Sequence, residues 1–218
     1  MNRGAVQRLK VAVLASGRGS NLQAIIDAVE SGRLEATISF VLSDREDALA
    51  LQRARQHQLE AIYLDPRRYP HREEFERTLL ELLEQRQVEL VCLAGFMRIL
   101  SPYLLQGVRG KVMNIHPSLL PAFPGLRAQR KALEYGVRFS GCTVHFVDEG
   151  VDTGPIITQA TVPVLEDDTE ESLSARILVQ EHQIYPQAIQ WYAEGRLRIE
   201  GRRVILSGER EQGIGERG

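Results

Sequence analysis

Short apolar runs alternate with amphipathic stretches along most of this chain, and this alternation restricts the possible folds more than any other feature. The runs lie at residues 11–15, 38–42, 61–64 and 88–94. Each is long enough for a buried strand, and the stretches between them carry apolar residues at helical spacing. Strands separated by helices form βαβ units and a parallel sheet. The sequence therefore predicts one α/β domain with a mostly parallel sheet.

Two helices follow from apolar periodicity in the first half of the chain. Residues 22–29 place their apolar side chains on one face, and Ser20 is expected to cap the helix N-terminus. A second amphipathic helix is expected over about residues 72–87, with charged side chains opposite its apolar stripe. Both helices would pack on the predicted sheet.

The pattern changes after residue 107, where strand-like segments become more frequent. Residues 112–115, 143–147 and 156–164 have the composition of strands, and some antiparallel pairing is expected among them. A long helix is expected to start at the capping pair Asp168 and Glu171, and Pro186 should kink or restart it. The second half therefore extends the sheet of the first half.

Length and composition exclude several classes of protein. With 218 residues, 43% of them hydrophobic, the chain fits one domain with a substantial core. Its formal net charge of -2 offers no field for a nucleic-acid backbone, so we expect no nucleic acid partner. The two cysteines, Cys92 and Cys142, lie in apolar contexts and are expected to be reduced core residues, neither a disulfide nor a metal pair.

The first apolar run is too short for a membrane span or for the core of a signal peptide, because it ends before Ser16. We therefore expect a cytoplasmic protein that does not bind a membrane. The domain is expected to occupy residues 1–207. Residues 208–218 are expected to be mobile, because they contain almost no apolar side chains to bury.

The segment Asn114-Ile115-His116 is the motif that points to chemistry. Alternation along a strand puts Asn114 and His116 on one face, at a strand end where open α/β sheets place ligands. Together with Asp152 they supply an amide that can stabilise negative charge, an imidazole that can move a proton and a carboxylate that can orient the imidazole. If its loop folds over His116, Asp152 is expected to raise the imidazole pKa.

No residue near this motif has the setting of an activated nucleophile. Neither Ser118 nor Cys92 lies in a nucleophile elbow or a redox motif. We therefore expect acyl transfer by direct attack of a substrate, without a covalent enzyme intermediate. His145 alternates with apolar residues inside a strand and is expected to be structural or to support the site indirectly.

Residues 16–21, SGRGSN, form a glycine loop between the first strand and the first helix. Its glycines let backbone N–H groups approach an anion at the positive end of the helix, which predicts a phosphate site. A tight turn without a ligand is the alternative. The loop lacks the third glycine of GxGxxG and the Lys-Ser/Thr of a P-loop. Asp44 nevertheless lies where a dinucleotide-binding domain holds its ribose, so that interpretation stays open.

Four segments in order, LASGRGSNLQAII, LAGFMRILSP, NIHPSLLPAFPG and VHFVDEGVDTGPII, resemble the phosphoribosylglycinamide formyltransferase family of purine biosynthesis. The resemblance extends from about Val11 to Leu197. It implies a Rossmann-like domain with a ribonucleotide-binding half over about residues 1–108 and a catalytic, folate-binding half over residues 109–207. It also implies transfer of a formyl group from 10-formyltetrahydrofolate to the amine of glycinamide ribonucleotide, without a metal.

The resemblance implies roles for individual residues as well. Asn114, His116 and Asp152 would be catalytic. Asn114 and protonated His116 would stabilise the tetrahedral oxyanion, and Asp152 would support His116 and assist proton removal through water. The residues expected to bind the ribonucleotide are Gly19, Ser20 and Asn21 at its phosphate and Glu181 at its ribose. The residues expected to bind the folate are Arg72, Met97, Arg98, Ile99 and Leu100, together with Asp148, Glu149, Gly150 and Val151.

Arg127 departs from the family pattern, which has a His or Asn followed by a small residue at this point. The departure puts in doubt any catalytic help from that position. Formyltransferases that act on methionyl-tRNA, and hydrolases of formyl-folate, are rival assignments, but both normally carry an additional domain for which this chain has little room. A non-catalytic ligand sensor and a nicotinamide-binding domain are rivals of another class. The sequence leaves a homodimer open.

Overall fold

The computed structural model describes residues 8–108 and 110–208. In these ranges a nine-stranded sheet carries helices on both faces. The strands are β1 Leu9–Leu14, β2 Ala36–Ser43, β3 Ala61–Tyr63, β4 Leu90–Leu93, β5 Lys111–His116, β6 Phe139–Phe146, β7 Ile156–Pro163, β8 Leu197–Glu200 and β9 Arg203–Leu206. The helices are α1 Ser20–Glu30, α2 Leu49–Gln56, α3 Arg72–Gln85, α4 Pro102–Gly107, α5 Ala128–Tyr135 and α6 Glu170–Ala193, with a 3-10 turn at Pro66–Arg68.

The sheet is parallel in its first half and mixed in its second. Its strand order is β3-β2-β1-β4-β5-β6-β7-β9-β8. The strands from β3 to β5 run parallel, whereas β6 is antiparallel to both β5 and β7. The predicted α/β domain, with a mostly parallel sheet and some antiparallel pairing, is confirmed.

Strand order places a ligand crevice at the carboxyl ends of β1 and β4. From β1 the chain moves outward to β2 and β3, and then returns to β4 on the other side of β1. The loops after β1 and β4 diverge at this point, which is where open α/β sheets bind ligands. The glycine loop follows β1, and residues 97–100, called the rim segment below, follow β4. Beside β4 lies β5, which ends in His116.

Two apolar layers hold the helices against the sheet. One layer joins α1, α2 and α6 to the sheet through residues such as Leu22, Leu51 and Ile177. The other joins α3 and α4 through residues such as Phe75 and Leu104. The end of β1 is fully buried because helices cover both of its faces. Burial of apolar surface, at roughly 25 cal/mol per Å², fixes the strand ends that carry the site.

The expected caps of two helices were wrong. Ser20 is the first residue of α1 and does not cap it; the cap position is held by Gly19, with φ 69° and no side-chain hydrogen bond. This left-handed φ suits glycine. At α6 the capping box is formed by Thr169 and Ser172, and Asp168 instead accepts a hydrogen bond from Ser172 Oγ at 2.7 Å.

Three further features of the chain differ from the sequence-based expectations. The helix α6 continues through Pro186 without a restart. The short helix α5 and the hairpin of β8 and β9 were not predicted. Residues 209–218, most of the segment expected to be mobile, lie outside the described residues.

Candidate active site

Asn114 and His116 meet Asp152 at the end of β5. Asn114 Nδ2 lies 3.4 Å from Asp152 Oδ1, and His116 Nδ1 lies 3.3 Å from Asp152 Oδ2. The carboxylate therefore contacts both residues, one with each oxygen. The structure brings these three predicted residues, called the central trio below, to one point.

Asp152 is held in place by its own backbone and by its neighbours. Its φ of 55° lies in the left-handed region, which residues with a Cβ populate sparsely. The Gly125 N–H donates to Asp152 Oδ2 at 2.7 Å. Two residues on, a Cβ on Gly154 would lie 1.8 Å from the carbonyl oxygen of Phe146, so the loop is packed tightly on the end of β6. The direction of the carboxylate is thus fixed by the fold.

The His116 ring has an acceptor at each nitrogen. Nε2 donates to the carbonyl oxygen of Phe123 at 2.9 Å, so in the neutral ring Nδ1 carries the lone pair and faces Asp152. Burial lowers the pKa of His116 below 6.5, although the Phe123 carbonyl and Asp152 both act in the opposite direction. Asp152 thus acts on this pKa in the expected direction, but desolvation is the larger effect, so the protonated ring expected from the family resemblance is disfavoured. The imidazole is neutral at pH 7.

The Asp152 carboxylate stays ionised beside this ring. Burial alone would raise its pKa, but the His145 ring, the Gly125 N–H and His116 outweigh burial and lower the pKa to about 2. A fixed negative charge therefore faces His116 throughout the physiological pH range. Any proton that His116 accepts at Nδ1 would form a charge-assisted contact with it.

His145 contacts a neighbouring backbone carbonyl and supports the site through Asn114, in agreement with the expectation from sequence. The antiparallel register of β5 and β6 sets it opposite Asn114. Its Nδ1 donates to the carbonyl of Phe146 at 2.8 Å, which leaves Nε2 to accept from Asn114 Nδ2 at 3.2 Å. Nε2 also lies 3.6 Å from Asp152 Oδ1. His145 thus orients the amide of Asn114, and strand pairing, which no local motif reveals, puts it there.

Neither candidate nucleophile is activated. Ser118 has no exposed surface, and its Oγ donates to the carbonyl of Ala122 at 2.6 Å. Burial raises the pKa of the Cys92 thiol to about 12, so the thiolate is absent at pH 7. Both settings favour direct transfer between substrates.

The glycine loop leads into the N-terminus of α1, which no side chain of the described residues caps. The N–H groups of the first turn of α1 are therefore available to an anion. Ser16 anchors the start of the loop, because its Oγ donates to Asp44 at 2.6 Å and accepts from the Met97 N–H at 2.9 Å. The loop consequently adjoins the rim segment. Gly19 is buried at this turn and Ser20 is half-buried.

Asn21 and Glu181 form a buried polar pair at the same helix end. Asn21 Nδ2 donates to Glu181 Oε2 at 2.7 Å. Among the described residues, no partner is found for the buried Oδ1 of Asn21. Burial raises the pKa of Glu181, opposed by the bond from Asn21. An unpaired acceptor and a desolvated carboxyl beside an uncapped helix are typical of a polar ligand site.

The predicted folate-binding residues of the rim segment divide into exposed and buried side chains. Met97 is 63% exposed and Ile99 62% exposed. Arg98 lies over the ring of Phe75, with 4.9 Å between Cζ and the ring centroid. Leu100 is 7% exposed and packs in the core. The segment therefore presents two apolar side chains to solvent.

Arg72 reaches the rim segment from the start of α3. Its Nε donates to Glu76 at 2.9 Å, and its Nη2 donates to the carbonyl of Ile99. Glu76 also accepts from the Ser101 N–H at 3.0 Å. Arg72 and Glu76 together hold the backbone on both sides of Leu100.

The acidic loop, residues 148–152, is braced from within. Asp148 Oδ1 accepts from the Gly150 N–H at 3.1 Å and from Thr153 Oγ1 at 2.6 Å. Glu149 and Gly150 are exposed, and Val151 is 48% exposed. Asp148 thus shapes the loop that delivers Asp152.

Arg127, which departs from the family pattern, occupies the cap position of α5 with a φ of 58° and an exposed side chain. It follows Gly125 by two residues, so its backbone contributes to the turn that positions the Gly125 N–H.

Residues 8–108 and 110–208 contain neither a metal-binding cluster nor a membrane-spanning helix. No group of three or more His, Cys, Asp or Glu side chains there is arranged to hold a metal ion. In the same ranges, the helices are all too short or too polar to cross a membrane.

A sequence model of the formyl transferase family matches residues 9–189 of this chain. The matched range contains the glycine loop, the rim segment, the central trio and Glu181. The chain therefore belongs to the formyl transferase family.

Within that family, this chain is similar to proteins named for formyl transfer to glycinamide ribonucleotide. The phosphoribosylglycinamide formyltransferase of Escherichia coli strain K12 is 45% identical over 202 residues, 93% of this chain and 95% of that protein. The structure of glycinamide ribonucleotide transformylase 1 from Symbiobacterium toebii is 55% identical, with a TM-score of 0.90, and the match covers 91% of this chain and 94% of that one.

A human relative is much longer than this chain. The trifunctional purine biosynthetic protein adenosine-3 of Homo sapiens is 45% identical over 193 residues, which is 88% of this chain but 19% of that protein. The family resemblance inferred from the four sequence segments is confirmed by these comparisons.

Proposed function

We propose that this protein transfers the formyl group of 10-formyltetrahydrofolate to the primary amine of glycinamide ribonucleotide. The products are formylglycinamide ribonucleotide and tetrahydrofolate, in de novo purine biosynthesis. The observation that carries the proposal is the convergence of the central trio beside an uncapped helix end suited to a phosphate. Membership of the family supplies the reaction class.

In this proposal the substrate amine attacks the formyl carbon directly. The nitrogen lone pair forms the new C–N bond, the carbonyl π electrons move to oxygen, and a tetrahedral intermediate results. Asn114 donates a hydrogen bond to that oxygen. Its Nδ2 contacts His145 at 3.2 Å and Asp152 at 3.4 Å, and the oxyanion replaces the longer, weaker contact.

His116 moves the proton during the transfer. The lowered pKa makes the neutral ring the starting form, so Nδ1 accepts the proton that the attacking nitrogen loses. The imidazolium is then stabilised by Asp152 and by the Phe123 carbonyl. As the bond from the formyl carbon to the folate nitrogen breaks, this proton passes to the departing nitrogen. Asp152 therefore assists proton removal by stabilising the charged ring.

The binding roles extend the family resemblance to this chain. Gly19, Ser20 and Asn21 hold the phosphate at the start of α1, and Glu181 contacts the ribose. The uncapped helix supports the placement of the phosphate, and the unpaired Asn21 Oδ1 can accept a hydrogen bond from a ribose hydroxyl. The folate lies against the rim segment, the acidic loop and Arg72, and the exposure of Met97, Ile99 and Val151 supports that role.

Several further properties of this protein are predicted from the sequence and its family resemblance alone. They are the division into halves at about residue 108, the cytoplasmic location, the lack of a nucleic acid partner, a reaction that needs no metal, and a possible homodimer.

An absorbance assay of folate product formation tests the proposal. The purified protein receives 10-formyltetrahydrofolate with and without glycinamide ribonucleotide, and tetrahydrofolate is expected only when the ribonucleotide is present. Product formation without the amine would identify a hydrolase, and no product in either case would also reject the transfer. The His116→Ala protein, prepared in the same way, controls for a contaminating enzyme.

A further inference from the structure

Two carbonyl groups of the glycine loop are held by the helix α2. The Ala50 N–H donates to the carbonyl oxygen of Gly17 at 3.1 Å, and Arg53 Nε donates to the carbonyl oxygen of Arg18 at 2.9 Å. A backbone that binds an anion through its N–H groups must keep its carbonyl oxygens turned away, because their partial negative charge repels the anion. The helix α2 holds two successive carbonyls in this way.

The helix α2 can lie this close to the loop because Gly19 has no side chain. A Cβ there would be 2.8 Å from Ala50 Cα and 2.9 Å from Ala50 Cβ. The helix α2 is itself anchored in the core by Leu51 and Ala54, which have no exposed surface. The distance between α2 and the loop is therefore set by packing, and the backbone of Arg53 is held at a fixed position relative to the loop.

Arg53 is itself oriented by a chain of hydrogen bonds. Its Nη1 donates to Gln23 Oε1 at 3.1 Å. Gln23 Nε2 lies 2.8 Å from Asp27 Oδ1 and 3.1 Å from His57 Nε2, and His57 Nδ1 lies 2.7 Å from Glu30 Oε1. Because Nδ1 donates to that carboxylate, His57 Nε2 can accept from Gln23. The guanidinium is thus held between the loop and α1.

We propose that Arg53 is a positioning residue for the phosphate of the ribonucleotide. It holds the Arg18 carbonyl away from the phosphate, so that the N–H groups that follow it point toward the phosphate, and its positive charge strengthens the local field. This inference rests on the proposed function. Because Arg53 acts through the loop, it should change the binding of a phosphorylated substrate and leave the chemical step unaltered.

The first test is a KM and kcat comparison for Arg53→Gln. Loss of a hydrogen bond from a charged donor typically weakens an interaction by about 10-fold or more. We expect the KM for glycinamide ribonucleotide to rise about 10-fold, with kcat and the KM for 10-formyltetrahydrofolate within about twofold of wild type. Arg55→Gln is the matched control, because it removes the same charge from an exposed position on the same helix. An equal rise in the control would overturn the proposal.

The second test uses the riboside that lacks the phosphate. Wild type and Arg53→Gln should use glycinamide riboside with the same kcat/KM, because nothing then occupies the loop. Equal losses on the two substrates would show a general structural defect and overturn the proposal. Gln23→Leu keeps every charge but removes the acceptor that orients Arg53, and should show the same substrate pattern at a smaller magnitude. If Arg53→Gln does not fold, the Gln23→Leu variant is used in its place.

Titration with inorganic phosphate separates this inference from the proposed function. Arg53→Gln should bind phosphate at least about fivefold more weakly than wild type and Arg55→Gln, whether or not formyl transfer is the reaction. Equal phosphate affinity in the three proteins would reject the role of Arg53 even if wild type is an active transferase.

Discussion

The central trio and the rim segment lie at the ends of neighbouring strands, yet they are built in opposite ways. His116 is 6% exposed, with a protein acceptor at each ring nitrogen. Met97 and Ile99, in contrast, are more than half exposed and extend from a backbone that Arg72 fixes. The polar groups of the central trio are thus positioned by the protein alone, whereas the apolar side chains of the rim segment remain exposed and can be covered by a ligand. Substitutions in the two regions should therefore separate kcat from KM.

The largest effect is expected inside the central trio. Asn114→Ala, His116→Ala and Asp152→Asn should each lower kcat by about 10²–10³-fold, the usual effect of removing a preorganised polar group. Stopped assays at saturating substrate measure this loss, and a thermal unfolding scan checks that each variant folds. His71→Ala, at an exposed histidine, is the control. Near-normal turnover of His116→Ala would contradict the assignment.

The next largest effect is a difference in stability between variants at the buried and the exposed side chains of the rim segment. Leu100→Ala should lower the free energy of unfolding by about 2–3 kcal/mol, because it opens a cavity in the core. Met97→Ala should change it by less than about 0.5 kcal/mol, because that side chain is exposed. Denaturant unfolding of both variants measures the difference. Similar losses in the two would show that Met97 is also packed.

The pH dependence of the reaction reports the state of the central trio. Since burial lowers the pKa of His116, kcat/KM should be constant near pH 7 and fall about tenfold per pH unit below that pKa, which is itself below 6.5. Asp152, with a pKa of about 2, should add no titration above pH 4. Asp152→Asn should shift the profile to lower pH. A profile that rises toward acid would mean that His116 acts from its protonated form.

The same two groups make the folded state sensitive to acid. The unfolded chain protonates His116 at a higher pH than the folded chain does, so the free energy of unfolding should decline as pH falls below 6.5. Asp152 is shifted downward as well, and its contribution should be lost between its usual pKa of 3.8 and about 2. The decline near pH 6 should be smaller in a His116→Ala variant.

The smallest effect is expected on the exposed side of the rim segment. The double change Met97→Ala and Ile99→Ala should raise the KM for 10-formyltetrahydrofolate about fivefold, equivalent to about 1 kcal/mol of lost apolar contact. Both kcat and the KM for the ribonucleotide should stay within about twofold. Leu165→Ala, 49% exposed outside the site, is the matched control. An unchanged KM for 10-formyltetrahydrofolate would show that the folate does not bind against Met97 and Ile99.

The features predicted correctly from sequence are those that depend on residues close together in the chain. The strand and helix alternation gave the parallel half of the sheet, and the period of two along β5 gave the shared face of Asn114 and His116. Glycines between a strand and a helix marked the loop at α1. Family resemblance then supplied Glu181 and Arg72, which no spacing rule could have connected to the site.

The missed features depend on contacts between distant segments or on weak signals. The contact of His145 with Asn114 depends on the pairing of β6 with β5 in one register, which local sequence does not specify. The helix α5 buries only the small residues Ala128 and Ala132, so its apolar stripe is weak. The net direction of the His116 pKa shift depends on burial, a property of the whole fold, so the expected effect of Asp152 did not predict it. Local sequence also did not distinguish Thr169 from its neighbour Asp168 as the cap of α6.

The pairing of β5 with β6 has a consequence for how this protein can change during evolution. Asn114 faces His145, while the neighbours of that histidine, Val144 and Phe146, face Ile115 and Met113. A slip of one residue in either direction would put a hydrocarbon side chain opposite the amide. A single-residue insertion or deletion within β6 would therefore remove the polar site in one step.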